Sequence, residues 1–153
     1  MSFIVAGFDA NEAYGRIYEI SVPDKLEPVE QFSGANFGVR WGGQYDFVNR
    51  LINGFDPRAI NIAKDNLNLT DEQAKELDQK LSSQLALPIP WQFLPLQDYV
   101  DLASFLVTMT AVTQTWTQTG IRGVGGSTDV ATITRNQGFQ PIKHKQIEVK
   151  NWL

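Results

Sequence analysis

The sequence predicts an α+β fold in which strands, then helices, then strands follow one another. Residues 2–42 contain short apolar runs and two-residue periodicity, which indicate strands. Residues 43–119 have apolar residues at helical spacing, and residues 120–153 return to strand patterning. A doubly wound sheet would instead alternate its strands and helices. The length favours a single domain, residues 1–153.

The N-terminal region is predicted to hold three strands. Residues 3–8 are apolar on both faces, as in a strand buried between two layers. Residues 16–22 and 36–41 alternate apolar and polar side chains with a period of two, so each is predicted to be a half-buried strand. Polar residues typical of turns occupy 9–12 and 23–25.

The middle region begins with three predicted helices. Apolar residues recur every four positions over 47–55, and Asp56 before Pro57 is typical of a helix start. Thr70 followed three residues later by Gln73 indicates a capping box. The helix that this box opens has one apolar stripe, formed by Ala74, Leu77, Leu81 and Leu85.

The last predicted helix is the most apolar. It follows an extended connector that the prolines over residues 88–95 impose, and Asp98 is its predicted cap. Because other apolar residues surround its stripe, we expect this helix to lie between two layers. The stripe consists of Leu102, Phe105, Leu106, Met109, Val112 and Trp116.

Six threonines lie near the end of this helix, at positions 108, 110, 113, 115, 117 and 119. Threonine lowers helix propensity, so they weaken the prediction of a continuous helix. If the helix persists, their hydroxyls are expected to bond back to carbonyls one turn earlier.

The C-terminal region is predicted to form strands again. Residues 130–134 carry small or apolar side chains on both faces. A turn over 136–138 leads into a second strand over 139–143, which Ile147 and Val149 extend.

Composition excludes several function classes. The net charge of -4 disfavours binding to nucleic acid or to anionic membranes, and the absence of cysteine excludes disulfides and thiolate metal sites. No run of about 18 apolar residues indicates a membrane span. No signal peptide is recognisable, so a cytoplasmic location is predicted.

Several short motifs occur in a characteristic order. They are Gly7-Phe8-Asp9, Ile17-Tyr18-Glu19-Ile20, Gly38-Val39-Arg40-Trp41-Gly42-Gly43, Gly125-Gly126, and Val130-Ala131-Thr132-Ile133-Thr134 before Gly138-Phe139. In this order, and with the helices between them, they resemble the second half of a proteasome-type subunit of the N-terminal-nucleophile (Ntn) hydrolase family. The resemblance spans nearly the whole chain.

This resemblance implies a partial Ntn-hydrolase-like layered sandwich without its reactive centre. The family's threonine nucleophile and its lysine partner belong to the first half, which the match does not cover. Gly43 stands where the family has the serine of a Gly-Ser-Gly turn. Val124 and Ile121 stand where a later element has serine and aspartate. The resemblance therefore implies that the chain supplies no catalytic residue, and we predict no cofactor-binding or metal-binding residue.

Two residues were considered as catalytic groups. Removal of Met1 would expose Ser2, and an N-terminal serine is a possible nucleophile. Its strand, however, matches the middle of the family fold, so we interpret Ser2 as a terminal residue without a catalytic role. His144, the only histidine, stands between two lysines that disfavour its protonation. It is interpreted as a solvent-facing residue on an edge strand.

Two further clusters were considered as ion sites. Asp71, Glu72 and Glu76 lie near a helix start, where carboxylates interact favourably with the helix dipole. The loop of residues 122–127 could bind an anion through backbone N–H groups, but it lacks the Lys-Ser/Thr ending of phosphate loops. Its glycines are interpreted as permitting a tight backbone path.

The half-fold interpretation predicts the function. One helical layer cannot cover two sheets, so an apolar sheet face or edge is expected to stay open. We therefore predict a proteasome-like assembly or structural module, which self-associates or binds a chain that supplies the first half. One alternative is half of a split Ntn-type peptidase or amidase that a partner completes. Another is a stand-alone α+β binding domain unrelated to proteasomes.

Overall fold

The computed structural model describes residues 1–32, 36–117 and 123–144. The order of elements confirms the predicted α+β class, with strands first, helices in the middle and strands last. The strands are β1 (Ser2–Gly7), β2 (Arg16–Ser21), β3 (Lys25–Phe32), β4 (Val130–Thr134) and β5 (Gly138–Lys143). The helices are α1 (Asp46–Ile52), α2 (Arg58–Leu67), α3 (Asp71–Leu85) and α4 (Leu96–Thr117), with a 3₁₀ turn at Trp91–Phe93.

The strands form two separate antiparallel sheets within the described residues. The first has the order β1-β2-β3, and its β1–β2 ladder runs without interruption from Ser2 opposite Ser21 to Gly7 opposite Arg16. The β2–β3 ladder contains two register shifts. The second sheet is the β4–β5 hairpin, in which Thr134 lies opposite Gly138 and β4 contacts α4. The layered sandwich implied by the resemblance stays a prediction.

The third strand of the first sheet is not the one predicted. Lys25–Phe32 forms β3, whereas the predicted strand over residues 36–41 is irregular backbone. Val39 and Trp41 instead pack against the core between α1 and α4. The Trp41 indole N–H donates to the side chain of Asn49 on α1 at 3.1 Å. The apolar side chains in this segment are therefore spaced for contact with helices, and the segment does not pair within a sheet.

Of the three predicted helix starts, the one at Thr70 agrees with the structure, and the one at Asp56 lies one residue before the observed N-cap, Pro57. The Thr70 hydroxyl accepts from the Gln73 backbone N–H at 3.3 Å, and the Gln73 side chain accepts from the Thr70 N–H at 2.9 Å, which completes the capping box. The Asp56 carboxylate accepts from the Arg58 backbone N–H at 3.0 Å at the start of α2. The cap predicted at Asp98 is wrong, because α4 begins at Leu96 and Asp98 lies in its first turn.

The threonine-rich helix is continuous through Thr117. The hydroxyls of Thr110, Thr115 and Thr117 donate to backbone carbonyls three or four residues earlier, at 2.7, 2.7 and 3.0 Å. These bonds are the ones predicted for threonine inside a helix. Thr119, Ile121, Arg122, Ile147 and Val149 lie outside the described residues.

The core of the described residues is small. Val48 and Ile52 of α1 meet Leu106 of α4, and these three residues are less than a tenth exposed. Contrary to the prediction, α4 is not enclosed on all sides, because Phe105 and Trp116 are 46% and 75% exposed. No second helical or sheet layer of the described chain covers that side.

A large apolar surface therefore remains uncovered. The chain exposes 11729 Å² of polar and apolar surface together, whereas a compact monomer of its mass exposes about 7,800 Å². Among the described residues, 22 large apolar side chains are exposed, and they occur in both sheets and on the helices. No helix in the described part of the chain has both the length and the apolarity needed to cross a bilayer.

Candidate functional site

A groove of about 370 Å³ lies between α4, the loop over residues 41–44 and the segment 123–124. We call it the glycine-lined groove. It brings together Gly43 and Val124, the two described positions that the resemblance aligned with site-supporting serines. Its walls are formed by Trp41, Gly42, Gly43, Gln44, Val48, Leu106, Val107, Thr110, Gly123 and Val124.

Glycines allow the two loops to form this groove. Gly43 has a φ of +77°, a conformation that favours glycine, and a Cβ there would meet no heavy atom within 4 Å. Gly123 is constrained by proximity instead, since its Cβ would lie 3.1 Å from the Gln44 Nε2. A Cβ at position 123 would therefore require the Gln44 side chain to shift by a few tenths of an ångström.

The opposite wall of the groove is attached to α4 by a hydrogen bond to Gln114. Gln114 is 5% exposed, and its side-chain carbonyl accepts from the Val124 backbone N–H at 3.0 Å. This bond attaches the segment 123–124 to the helix. The Thr110 hydroxyl donates to the Leu106 carbonyl at 2.7 Å, which satisfies its proton within α4.

The chemistry of the groove is apolar contact. None of the described residues that line it has an ionisable side chain. Its polar side chains are Gln44, Thr110 and Trp41, and the Trp41 N–H is already bonded to Asn49. Proton transfer to or from a substrate would require a general acid or base from outside this described lining.

Ser2 is not among the residues that line this groove and lies at the exposed start of β1. Its hydroxyl donates to the Glu19 carboxylate at 2.9 Å. Arg40 pairs with the same carboxylate, and the hydrogen bonds from Arg40 and Ser2 hold the pKa of Glu19 below its ordinary value.

His144 follows the end of β5 and is largely exposed, as predicted. Its Nδ1 lies 3.3 Å from an Asp129 carboxylate oxygen. Sequence analysis did not anticipate this contact. The hairpin register provides the signal, because Val130 opposite Lys143 brings the preceding and following residues together.

The acidic residues Asp71 and Glu72 at the start of α3 interact with nearby groups of the protein. Lys64 pairs with Asp71 and lowers its pKa. The pKa of Glu72 is lowered by hydrogen bonds from its own backbone N–H and from the Thr70 hydroxyl. Within the described ranges, no three acidic or histidine side chains form a group that could hold a metal ion.

The glycine-rich segment after α4 provides little support for an anion site. Arg122 lies outside the described residues, and the Val124 N–H is used by Gln114. Gly126 has a φ of +81°, which agrees with the interpretation that these glycines permit a tight backbone path. Comparisons of the chain with protein-family models, with curated proteins and with solved structures found no match.

Proposed function

We propose that this chain is a proteasome-like assembly module that acts by associating with another polypeptide and provides no nucleophile of its own. The observation that carries the proposal is the uncovered apolar surface. Among the described residues, 22 large apolar side chains are exposed, and the total exposed area of 11729 Å², polar and apolar together, exceeds the value for a compact monomer by about 3,900 Å². Soluble monomers rarely expose apolar patches larger than a few hundred Å².

The location of this surface supports association through regular elements. On β1, Phe3, Ile4 and Val5 are 48%, 43% and 51% exposed, although they lie on both faces of the strand. A strand that is apolar on both faces is typical of a sheet covered on both sides. On α4, Phe105 and Trp116 extend the exposed apolar surface to the helical side of the chain.

The size of the excess fits association rather than ligand binding. A standard protein interface buries about 1,200–2,000 Å² in total, or about 800 Å² on each partner. The excess of about 3,900 Å² is total area, polar and apolar together, and it is larger than the contribution of one partner to such an interface. A small molecule in the glycine-lined groove would cover only a fraction of it.

The proteasome-like part of the proposal is supported by the ordered motifs and by the glycine-lined groove. Gly43 and Val124, placed by the resemblance beside the family's reactive centre, line the same groove. Neither side chain carries a hydroxyl, so neither can orient a nucleophile by donating or accepting a side-chain hydrogen bond. This composition favours a structural role over catalysis by the isolated chain.

Sedimentation velocity of the purified chain tests the association. Between about 1 and 100 μM, we expect a concentration-dependent shift from monomer to a defined oligomer, because interfaces of standard size reach affinities of μM or better. Binding of a hydrophobic dye should fall as the oligomer forms. A monomer over the whole range that binds no dye would contradict the proposal.

A split peptidase or amidase is the second candidate. The groove favours it in one respect, because about 370 Å³ is within the range of small-ligand sites. A partner chain would have to supply the nucleophile and its base to this groove. A covalent probe for N-terminal threonine hydrolases should then label the partner only when both chains are present. The absence of labelling in the complex would remove this candidate.

A further inference from the structure

We propose that two copies of the chain pair through the edge of β1, which no described strand covers, antiparallel about a two-fold axis at Ile4. The product is one continuous sheet of six strands with the order β3-β2-β1-β1-β2-β3. This inference rests on the proposed assembly function and identifies the surface through which the chain associates. It follows from the difference between the two edges of the first sheet.

The β3 edge carries features that prevent pairing. Lys25, Glu27, Pro28 and Glu30 lie on this strand, and the ladder that joins it to β2 has two irregularities. Charge, proline and bulges are the means by which natural sheets block edge-to-edge association. The β3 edge is therefore a poor site for a further strand.

The β1 edge has none of these features. Its sequence, Ser2–Gly7, contains no charged residue and no proline. Its ladder with β2 has six consecutive pairs without a shift. A regular, uncharged and apolar edge is the kind that accepts another strand.

The hydrogen-bond pattern identifies the backbone groups that face outward. Met1 and Val22 exchange two bonds of 2.7 Å, so they form a hydrogen-bonded pair of the antiparallel ladder. Because such pairs alternate along a ladder, Phe3 and Val5 direct their N–H and C=O groups toward β2. The N–H and C=O groups of the intervening residues Ser2, Ile4 and Ala6 point to the free edge.

A second copy can satisfy these groups. In the register that uses all three outward-facing residues, Ile4 lies opposite Ile4 of the other copy and Ser2 lies opposite Ala6. Six new backbone hydrogen bonds result, and Phe3 packs beside Val5 across the interface on one face. No like charges meet, so the strand is complementary to itself. We therefore assign the edge to a second copy.

Paired charge variants test the two-fold axis. Ile4→Lys or Ile4→Glu alone should weaken dimerisation at least tenfold, because each places two like charges opposite one another. An equimolar mixture of the two variants should restore association as a heterodimer. Leu26→Lys on β3 is the matched control, since Leu26 is 68% exposed and lies on the blocked edge. We expect this variant to dimerise like the wild type.

The absence of cysteine allows an independent test by cross-linking. In a hydrogen-bonded antiparallel pair, opposite Cα atoms lie about 5.5 Å apart, within the range that a disulfide can bridge. Ile4→Cys should therefore form a disulfide-linked dimer upon mild oxidation. Leu26→Cys, despite its greater exposure, should stay largely unlinked at the same protein concentration.

The outcomes separate this inference from the broader proposal. A wild-type chain that stays monomeric and binds no hydrophobic dye would overturn both. An oligomer that survives both Ile4 charge variants, and in which Ile4→Cys does not cross-link, would overturn the β1 pairing and leave the assembly function standing. Association only with a different polypeptide would also overturn self-pairing. The helical circular dichroism signal shows whether each variant is folded. If the charge variants do not fold, Ala6→Pro replaces them. The N–H group that this substitution removes is one that points to the free side of the strand.

Discussion

At the scale of single residues, Gly54 is the position where the backbone tolerates least change. It has a φ of +78°, and a Cβ there would lie 2.1 Å from the carbonyl oxygen of Leu85 at the end of α3. Close by, the Leu87 N–H donates to the Ile52 carbonyl at 2.9 Å. The turn after α1 is therefore packed directly against the backbone that leaves α3.

Gly54→Ala should lower the free energy of unfolding by about 2–4 kcal/mol, the combined effect of a strained φ and of overpacking. Urea denaturation measures this change. Gly126→Ala is the control, because Gly126 has a similar φ of +81° but no heavy atom within 4 Å of its Cβ position. Its cost should be about 1–2 kcal/mol. Equal effects at the two positions would show that packing against Leu85 is unimportant.

The hydrogen bonds of Asp56 lead us to expect that the stability of the fold depends on pH. Its carboxylate accepts hydrogen bonds from the Arg58 side chain and backbone and from the Arg50 side chain, and these hold its pKa far below the ordinary value of 3.8. A carboxyl with a lowered pKa in the folded state stabilises the fold above its unfolded pKa. That stabilisation is lost as the pH falls toward the folded pKa.

Asp56→Asn should therefore flatten the loss of stability between about pH 5 and pH 2. Chemical denaturation at a series of pH values gives the slope. Arg58→Gln removes the main partner of Asp56 and should flatten the same region. If the wild type and both variants lose stability in parallel, the ion cluster contributes nothing to acid sensitivity.

Some of these residue-level features could be predicted from sequence and some could not. The Asp56-Pro57 start and the Thr70 capping box depend on residues within a few positions of each other, and both appear in the structure. The bond from Val124 to Gln114 spans ten positions, and its formation depends on how the segment folds back on α4. Local spacing therefore identified the helix ends, whereas the attachment of the groove wall required tertiary structure.

At the scale of elements, the bond from Gln114 attaches the glycine-rich segment to α4. Gln114→Ala should leave the Val124 N–H without its acceptor and cost about 1–3 kcal/mol. Hydrogen exchange of the Val124 amide should accelerate about tenfold or more as that bond is lost. Gln79→Ala on the exposed side of α3 is the matched control, with an expected change within about 0.5 kcal/mol. Unchanged exchange at Val124 would contradict the proposed attachment.

The error at β3 has a physical explanation at this scale. No strand is predicted over Lys25–Phe32, where Pro28 lacks an N–H and interrupts the alternation of side chains. An edge strand tolerates proline because one side of it needs no hydrogen bonds. In residues 36–41, by contrast, apolar and polar side chains alternate although no described strand pairs with this segment. A period of two shows only that alternate side chains are buried. Packing against helices can bury them as well as packing within a sheet can.

At the scale of the whole molecule, association and stability are coupled. If a second copy covers β1, the oligomer is favoured over unfolded chains at high protein concentration. The thermal midpoint of the wild type should rise with concentration, by several degrees for about 2 kcal/mol of added stability. Ile4→Lys should remove this dependence, whereas Leu26→Lys should keep it. A midpoint that is independent of concentration in all three proteins would contradict the coupling.

The unequal edges of the first sheet also determine how far an assembly can grow. Once two β1 strands have paired, both outer borders of the joined sheet are β3, with its charges, proline and irregular ladder. Neither border is suited to recruit a further copy. In the proposed dimer, growth along this sheet would therefore stop at two copies, and the apolar strand β1 would be buried between them rather than available for fibre formation.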